Sequence, residues 1–171
     1  MGDDNAAGDT YVDDAASVVD FVVAAYREEG RWQVTLLPRR SARDLATLEQ
    51  TLRRHPGDGG SLGLVSVDDD YFLIVRVAGA DVRLLLSDVT AATESALARE
   101  ALDELGLAEP DDEDEPEPAG DTELLADLGL AGIDLEMLCD DDEIYPDQAL
   151  GEVAERLGFG RGFAAVIPAQ P

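Results

Sequence analysis

Within twelve positions, residues 109–120 hold three prolines and seven acidic side chains, with no basic residue and no apolar period. Proline removes a backbone donor and fixes φ, so this run can neither propagate a helix nor sit inside a central strand. Like charges repel and prolines stiffen, and the run reads as an extended acidic linker that holds its flanks roughly 20 Å or more apart. The chain divides accordingly. Residues 18–108 are long enough for one ordinary domain, and residues 121–159 form a short leucine-patterned segment. Residues 1–17 read as a disordered acidic arm and residues 160–171 as a tail.

Charge follows the same division. Of 39 acidic and 12 basic residues, giving a net charge of −27, residues 18–108 carry 15 acids and 10 arginines, an unremarkable balance. The arm carries five acids, the linker seven and residues 121–147 ten, none of them with a basic partner. A salt-adapted protein would acidify its whole surface, so the segregation points to a basic partner instead. Nucleic acid and anionic lipid are disfavoured, because phosphate contacts need stripes of arginine or lysine. One cysteine, Cys139, rules out an internal disulfide and any multi-cysteine metal set. No apolar run approaches the roughly 20 residues of a membrane span. The acidic start Met1-Gly2-Asp3-Asp4 lacks a signal peptide's basic region, and a cytoplasmic protein is expected.

Residues 18–26 and 32–37 are β-branched and aromatic around the turn Glu28-Glu29-Gly30, the pattern of a hairpin. After Pro38 the sequence predicts a helix from Ser41, with Asp44 three residues on as a weak capping box, and with Leu45, Leu48 and Leu52 on its inner stripe. Arg43 and Arg54, 11 residues apart, fall on its opposite face at about 100° per residue. Strands at 62–67, 71–77 and 82–86 follow, joined by turns too short for anything but an antiparallel meander. A second helix, capped by Ser87 or Asp88, runs to about Leu105 with Ala91, Ala98, Leu102 and Leu105 on one face. The fold class is thus α+β: an antiparallel five-stranded sheet with two helices in the order ββαβββα. Its topology is similar to roadblock or profilin-like domains, an analogy without functional content. After the acidic linker, three short helices make a small C-terminal module. The first holds Leu124, Leu125 and Leu128 and ends at Gly129; the second covers 133–139 with Leu135 and Leu138 inward; the third runs from Pro146 to Gly158. About 40 residues bury too little surface to be robust alone, and such a module often docks on something.

Three stretches of this module carry a resemblance: Gly120-Asp121-Thr122-Glu123-Leu124-Leu125-Ala126-Asp127-Leu128-Gly129, then Leu135-Glu136-Met137-Leu138-Cys139, then Pro146-Asp147-Gln148-Ala149-Leu150-Gly151-Glu152-Val153-Ala154-Glu155-Arg156-Leu157-Gly158-Phe159. They resemble the C-terminal signature of the actinobacterial tRNA adenosine deaminase-associated family, whose layout extends over about residues 18–159. The resemblance implies a partner, a tRNA adenosine deaminase or another RNA-processing protein, and supplies no catalytic residues.

The chain is not itself expected to be a deaminase. That chemistry needs a zinc held by His/Cys/Cys in H-x-E and P-C-x-x-C motifs. Here the single histidine, His55, lies in His-Pro-Gly, and Cys139 is followed by Asp140-Asp141-Asp142. Asp68-Asp69-Asp70 and Asp140-Asp141-Asp142-Glu143 lack the spacing of an EF-hand loop, and Gly57-Asp58-Gly59-Gly60 lacks the Lys-Ser/Thr of a P-loop. No catalytic, metal or cofactor set is expected. Arg39, Arg40, Arg43, Arg53 and Arg54 form the one basic concentration, open to solvent, to the chain's own acidic segments or to RNA. The residues singled out for partner contact are Arg43 and Arg54, the linker acids Asp111, Asp112, Glu113, Asp114 and Glu115, and the leucines Leu124, Leu125 and Leu128. The expected role is a non-enzymatic accessory protein. The alternative is an acidic module that competes with tRNA for a basic surface.

Overall fold

The computed structural model describes residues 18–168 other than Pro56, Asp58, Asp112, Glu113 and Asp142; the arm at 1–17 and the last three residues lie outside the described residues. Six antiparallel strands form one sheet in the order β2-β1-β3-β4-β5-β6. They are β1 Val19–Glu28, β2 Arg31–Leu37, β3 Ser61–Val67, β4 Tyr71–Ala78, β5 Asp81–Leu86 and β6 Ala119–Gly120. Glu29 and Gly30, with φ of 54° and 79°, make the left-handed two-residue turn that matches strand twist in a hairpin. Between β3 and β4 the connection is three residues long, with Asp68 and Asp69 also left-handed at φ 55° and 50°. There the Asp20 carboxylate accepts from Asp69 N at 2.9 Å and Ser66 Oγ at 3.1 Å.

The sheet is apolar on both faces. Val22, Ala24, Val65, Leu73, Val75, Leu84 and Leu86 point to one side, where α1 (Leu45–Arg53) and α2 (Ala96–Glu104) pack. Asp44, not Ser41, caps α1, accepting from Thr47 N at 2.7 Å. Ser41 sits instead in a 3₁₀ turn, Arg39–Ala42, that begins directly after Pro38. The second helix is likewise divided. Asp88 caps a 3₁₀ turn, Val89–Thr93, and Ser95 caps α2, so the expected continuous helix breaks at Glu94. Ser95 Oγ also lies 2.6 Å from the Tyr71 hydroxyl in the core.

Phe21, Val23, Leu62, Leu64, Phe72, Ile74 and Leu85 point to the other side and form a second core with the C-terminal helices. These are α3 Gly132–Asp140, α4 Pro146–Leu157 and α5 Gly160–Val166. α4 lies over β3 and β4, and α5 packs on α4 and β2. Phe163 of α5 meets Phe21 edge-on at 5.8 Å. Trp32 meets Phe159 at a tilt, ring centroids 4.7 Å apart, and donates Nε1 to Leu157 O at 3.0 Å.

Three expectations change. The sheet has six strands, because the end of the acidic run pairs with β5: Leu86 opposite Ala119 and Leu85 opposite Gly120. The linker therefore does not hold two bodies apart; both its flanks belong to one sheet and its two cores. The C-terminal segment is also rearranged. Its first helix is a turn plus one 3₁₀ turn, Ala126–Leu128, closed by Gly129 at φ 119°, and the tail contributes α5. Among the described residues no helix is long and apolar enough to cross a membrane.

Candidate interaction surface

Two arginines from the sheet anchor the segment that leads into α3. Arg76 on β4 is buried, and its guanidinium uses all five donors: Nε and Nη2 to Gly59 O, Nη1 to Leu124 O at 2.9 Å, and Nη1 and Nη2 to the two oxygens of Asp127 at 2.6 and 3.0 Å. This fork holds the Asp127 carboxyl below its ordinary pKa, mainly through the hydrogen bonds from Arg76. Arg83 on β5 reaches Asp121 at 2.6 Å and Glu123 O at 3.1 Å. With its entry fixed, α3 turns Leu135 fully inward. Ile133 and Met137, four residues apart on one stripe, are left 64% and 62% exposed. The loop to α4 adds Tyr145, 60% exposed, before Pro146 opens α4 at a position that needs no backbone donor. Tyr145 N donates to Gln148 Oε1 at 2.9 Å and fixes the loop's exit.

Two recesses flank this loop and share Leu138, Asp141 and Ile144. One, of about 430 Å³, lies between α3 and α4 and is bounded by Met137, Asp134, Glu152 and Arg156. Arg156 is already engaged there, 3.7 Å from both Asp134 and Glu152. The other, of about 480 Å³, lies between the loop and the sheet, bounded by Asp69, Asp70, Asp88, Asp140 and Pro116. Burial, and then the charges of Asp88, Asp68 and Glu94, push the Asp70 carboxyl above its ordinary range. Burial first, then Asp140 and Glu136, pushes the Cys139 thiol up to about 12, so it stays protonated and is a poor nucleophile. His55 packs against Tyr26, the rings tilted and their centroids 5.4 Å apart. Among the described residues no three His, Cys, Asp or Glu side chains stand where they could hold a metal ion. What the surface presents is an apolar stripe with carboxylates around it.

The residues singled out from the sequence are not brought together. Arg43 and Arg54 are exposed but sit at opposite ends of α1, one before its cap and the other at its C-cap, with Arg43 Nε donating to Thr47 Oγ1 at 3.3 Å. Asp111 N donates to Asp114 Oδ2 at 2.8 Å; Glu115 is exposed, and Asp112 and Glu113 lie outside the described residues. Leu124 and Leu125 are fully buried in the second core and Leu128 is half-buried against it, so the first two cannot reach a partner. Their leucine pattern marks internal packing. The outward residues Ile133 and Met137 were missed, although their signal is in the sequence: α3 is apolar on both sides, more than one buried stripe requires.

Comparison with known proteins agrees with the motif. No solved structure matches. Protein Rv3753c of Mycobacterium tuberculosis (strain ATCC 25618 / H37Rv) is 42% identical over 150 residues, covering 86% of this chain and 87% of that protein. The family profile described as Rv3753c-like tRNA adenosine deaminase-associated protein matches residues 20–160, from β1 through the start of α5. Sheet, linker, α3 and α4 fall inside that match together, and the chain belongs to the Rv3753c-like tRNA adenosine deaminase-associated protein family.

Proposed function

We propose that this protein is a non-enzymatic accessory factor that binds a tRNA adenosine deaminase in the cytoplasm by protein–protein contact. The observation that carries the reading is the apolar stripe of α3, left in water within an acidic surround. A helix in a packed layer ordinarily buries its large aliphatic residues, and an exposed cluster of them with a polar rim is the mark of a contact surface. The family description supplies the class of partner. Titration of the purified full chain into the deaminase of the same organism tests it. Calorimetry should detect a one-to-one complex at about 0.05 M salt that weakens toward about 0.5 M, as screening removes the electrostatic share. Absence of both binding heat and co-elution at low salt would refute the reading.

The carboxylates around the second recess favour one elaboration, in which the protein covers the deaminase's tRNA-binding surface. Deaminase activity on tRNA would then fall as the protein is added, most strongly at low salt. Unchanged activity in a saturated complex would remove competition and keep the association.

A further inference from the structure

The geometry points to the occupant of this surface: we infer that the outward stripe of α3 and the recess between α3 and α4 dock a basic, amphipathic α-helix of the partner protein. This rests on the proposed association and adds where it occurs and by what chemistry. Of the five large apolar side chains that are exposed among the described residues, three, Ile133, Met137 and Tyr145, fall on α3 and the loop that follows it; Leu36 and Leu107 stand elsewhere. Ile133 and Met137 are one helical turn apart, and the recess opens beside Met137. A helix with apolar anchors at i, i+4 and i+7 fits such a stripe and groove, one anchor entering the recess and its neighbours lying along the stripe. Met137 suits the task, since an unbranched thioether repacks around an incoming side chain.

Charge selects the kind of helix. Asp134, Glu136, Asp140 and Glu152 border the stripe and recess, and the single cation there, Arg156, is already held between Asp134 and Glu152. A second copy of this chain would bring carboxylates against carboxylates, and a phosphate backbone or anionic lipid would meet the same repulsion. A partner helix flanked by arginine or lysine reverses that sign and loses nothing in the apolar contact.

Met1 and Met137 are the chain's only methionines, so ¹³C labelling of the methionine methyls in the full chain puts one reporter inside the patch. The labelled protein is titrated with the deaminase, alongside an Ile133→Ser/Met137→Ser variant and a Leu36→Ser/Leu107→Ser control, all checked for native circular dichroism. The Met137 methyl should shift and saturate with the complex. The dissociation constant should rise by about tenfold or more in the first variant and stay within about twofold in the control, since only the former loses apolar surface buried on binding. A deaminase that binds with this methyl unmoved and the first variant unimpaired overturns the docking site and leaves the proposed function standing. A deaminase that does not bind removes the proposed function, and the site is then judged with a synthetic helical peptide carrying leucine at i, i+4 and i+7 and arginine between them. A saturable Met137 shift that the Ile133→Ser/Met137→Ser variant abolishes sustains the site; an unmoved methyl overturns it.

Discussion

Replacing Arg76 with methionine keeps a linear side chain in the core and removes five hydrogen bonds, three that tie β4 to the segment entering α3 and two to Gly59 O before β3. Two carbonyls, Gly59 O and Leu124 O, lose charged donors, and the bond to Leu124 O is buried. A hydrogen bond to a charged group contributes about 1.5–3 kcal/mol, and a buried carbonyl left without a partner costs about 1–3 kcal/mol. Asp127 is 62% exposed, so its half of the ion pair adds about 0–1 kcal/mol, because water recovers the freed carboxylate. The expected loss is about 3 kcal/mol. With a urea slope of about 2 kcal/mol per molar for a chain of this size, the denaturation midpoint should fall by about 1.5 M. Hydrogen exchange locates the damage: Leu124, Ala126 and Leu128, whose amides close the turns under the Arg76 fork, should lose protection before the strands do. A midpoint shift under about 0.3 M, or uniform loss of protection, would show that the fork does not hold the C-terminal layer to the sheet.

Two further outcomes follow from the same layer. A chain ended at Pro118 would leave Phe21, Leu62, Leu64, Phe72, Ile74 and Leu85 uncovered, and should self-associate and bind hydrophobic dyes; a monomer with a cooperative melt and unchanged emission from Trp32, the single tryptophan, would contradict a shared core. Asp127→Asn should be less stable than the parent above the ordinary carboxyl value of 3.8 and should converge with it as pH falls through the lowered folded value, because a depressed carboxyl pKa contributes stability only while the group is ionised; a constant gap between the two chains across that range in urea melts would refute the assignment.

Much of the first layer is legible in the sequence. The strands at 62–67, 71–77 and 82–86 lie where apolar runs between short turns put them, and the antiparallel meander follows because two- to four-residue connections permit nothing else. The second layer could have been inferred from the same strands. Leu62 and Leu64 alternate with Val65 and Val67, and Phe72 and Ile74 with Leu73 and Val75, so the sheet has no polar face to give to water. Two elements were not legible. β6 is Ala-Gly, without strand propensity, and forms because β5 offers a free edge; Gly120, at φ 120°, is needed where any Cβ would run into Leu84 O. α5 opens on Gly160 and contains Gly162, which costs roughly 1 kcal/mol inside a helix, and persists because Phe163 buries against Phe21. A Cβ at residue 162 would lie 3.1 Å from Val34, so that glycine also lets α5 approach β2. For the interaction surface, periodicity correctly assigned Leu135 inward but also read Leu124 and Leu125 as contacts, since a leucine pattern alone cannot tell a core from an interface.

Folding changes the meaning of the acidic run. Val89 N donates to Glu117 O at 2.9 Å, and Asp121 N to Leu84 O at 2.9 Å, so the run's far end is stitched to β5 and to the 3₁₀ turn after it, while its near end follows α2. A tether fastened at both ends to one body cannot set the distance between two. Its charge can still act, because Pro116 borders the same recess as Asp140 and Asp141, bringing the run beside the acidic layer of α3. Exposed like charges gathered on one side raise the encounter rate with a cationic partner, and salt suppresses that rate steeply. An apolar stripe acts after encounter, on how long the complex lasts. In a complex formed on α3, salt should therefore change the association rate, and loss of Ile133 and Met137 the dissociation rate. A stopped-flow measurement in which both perturbations fall on the same constant would mean that the acidic run and the stripe are not parts of one surface.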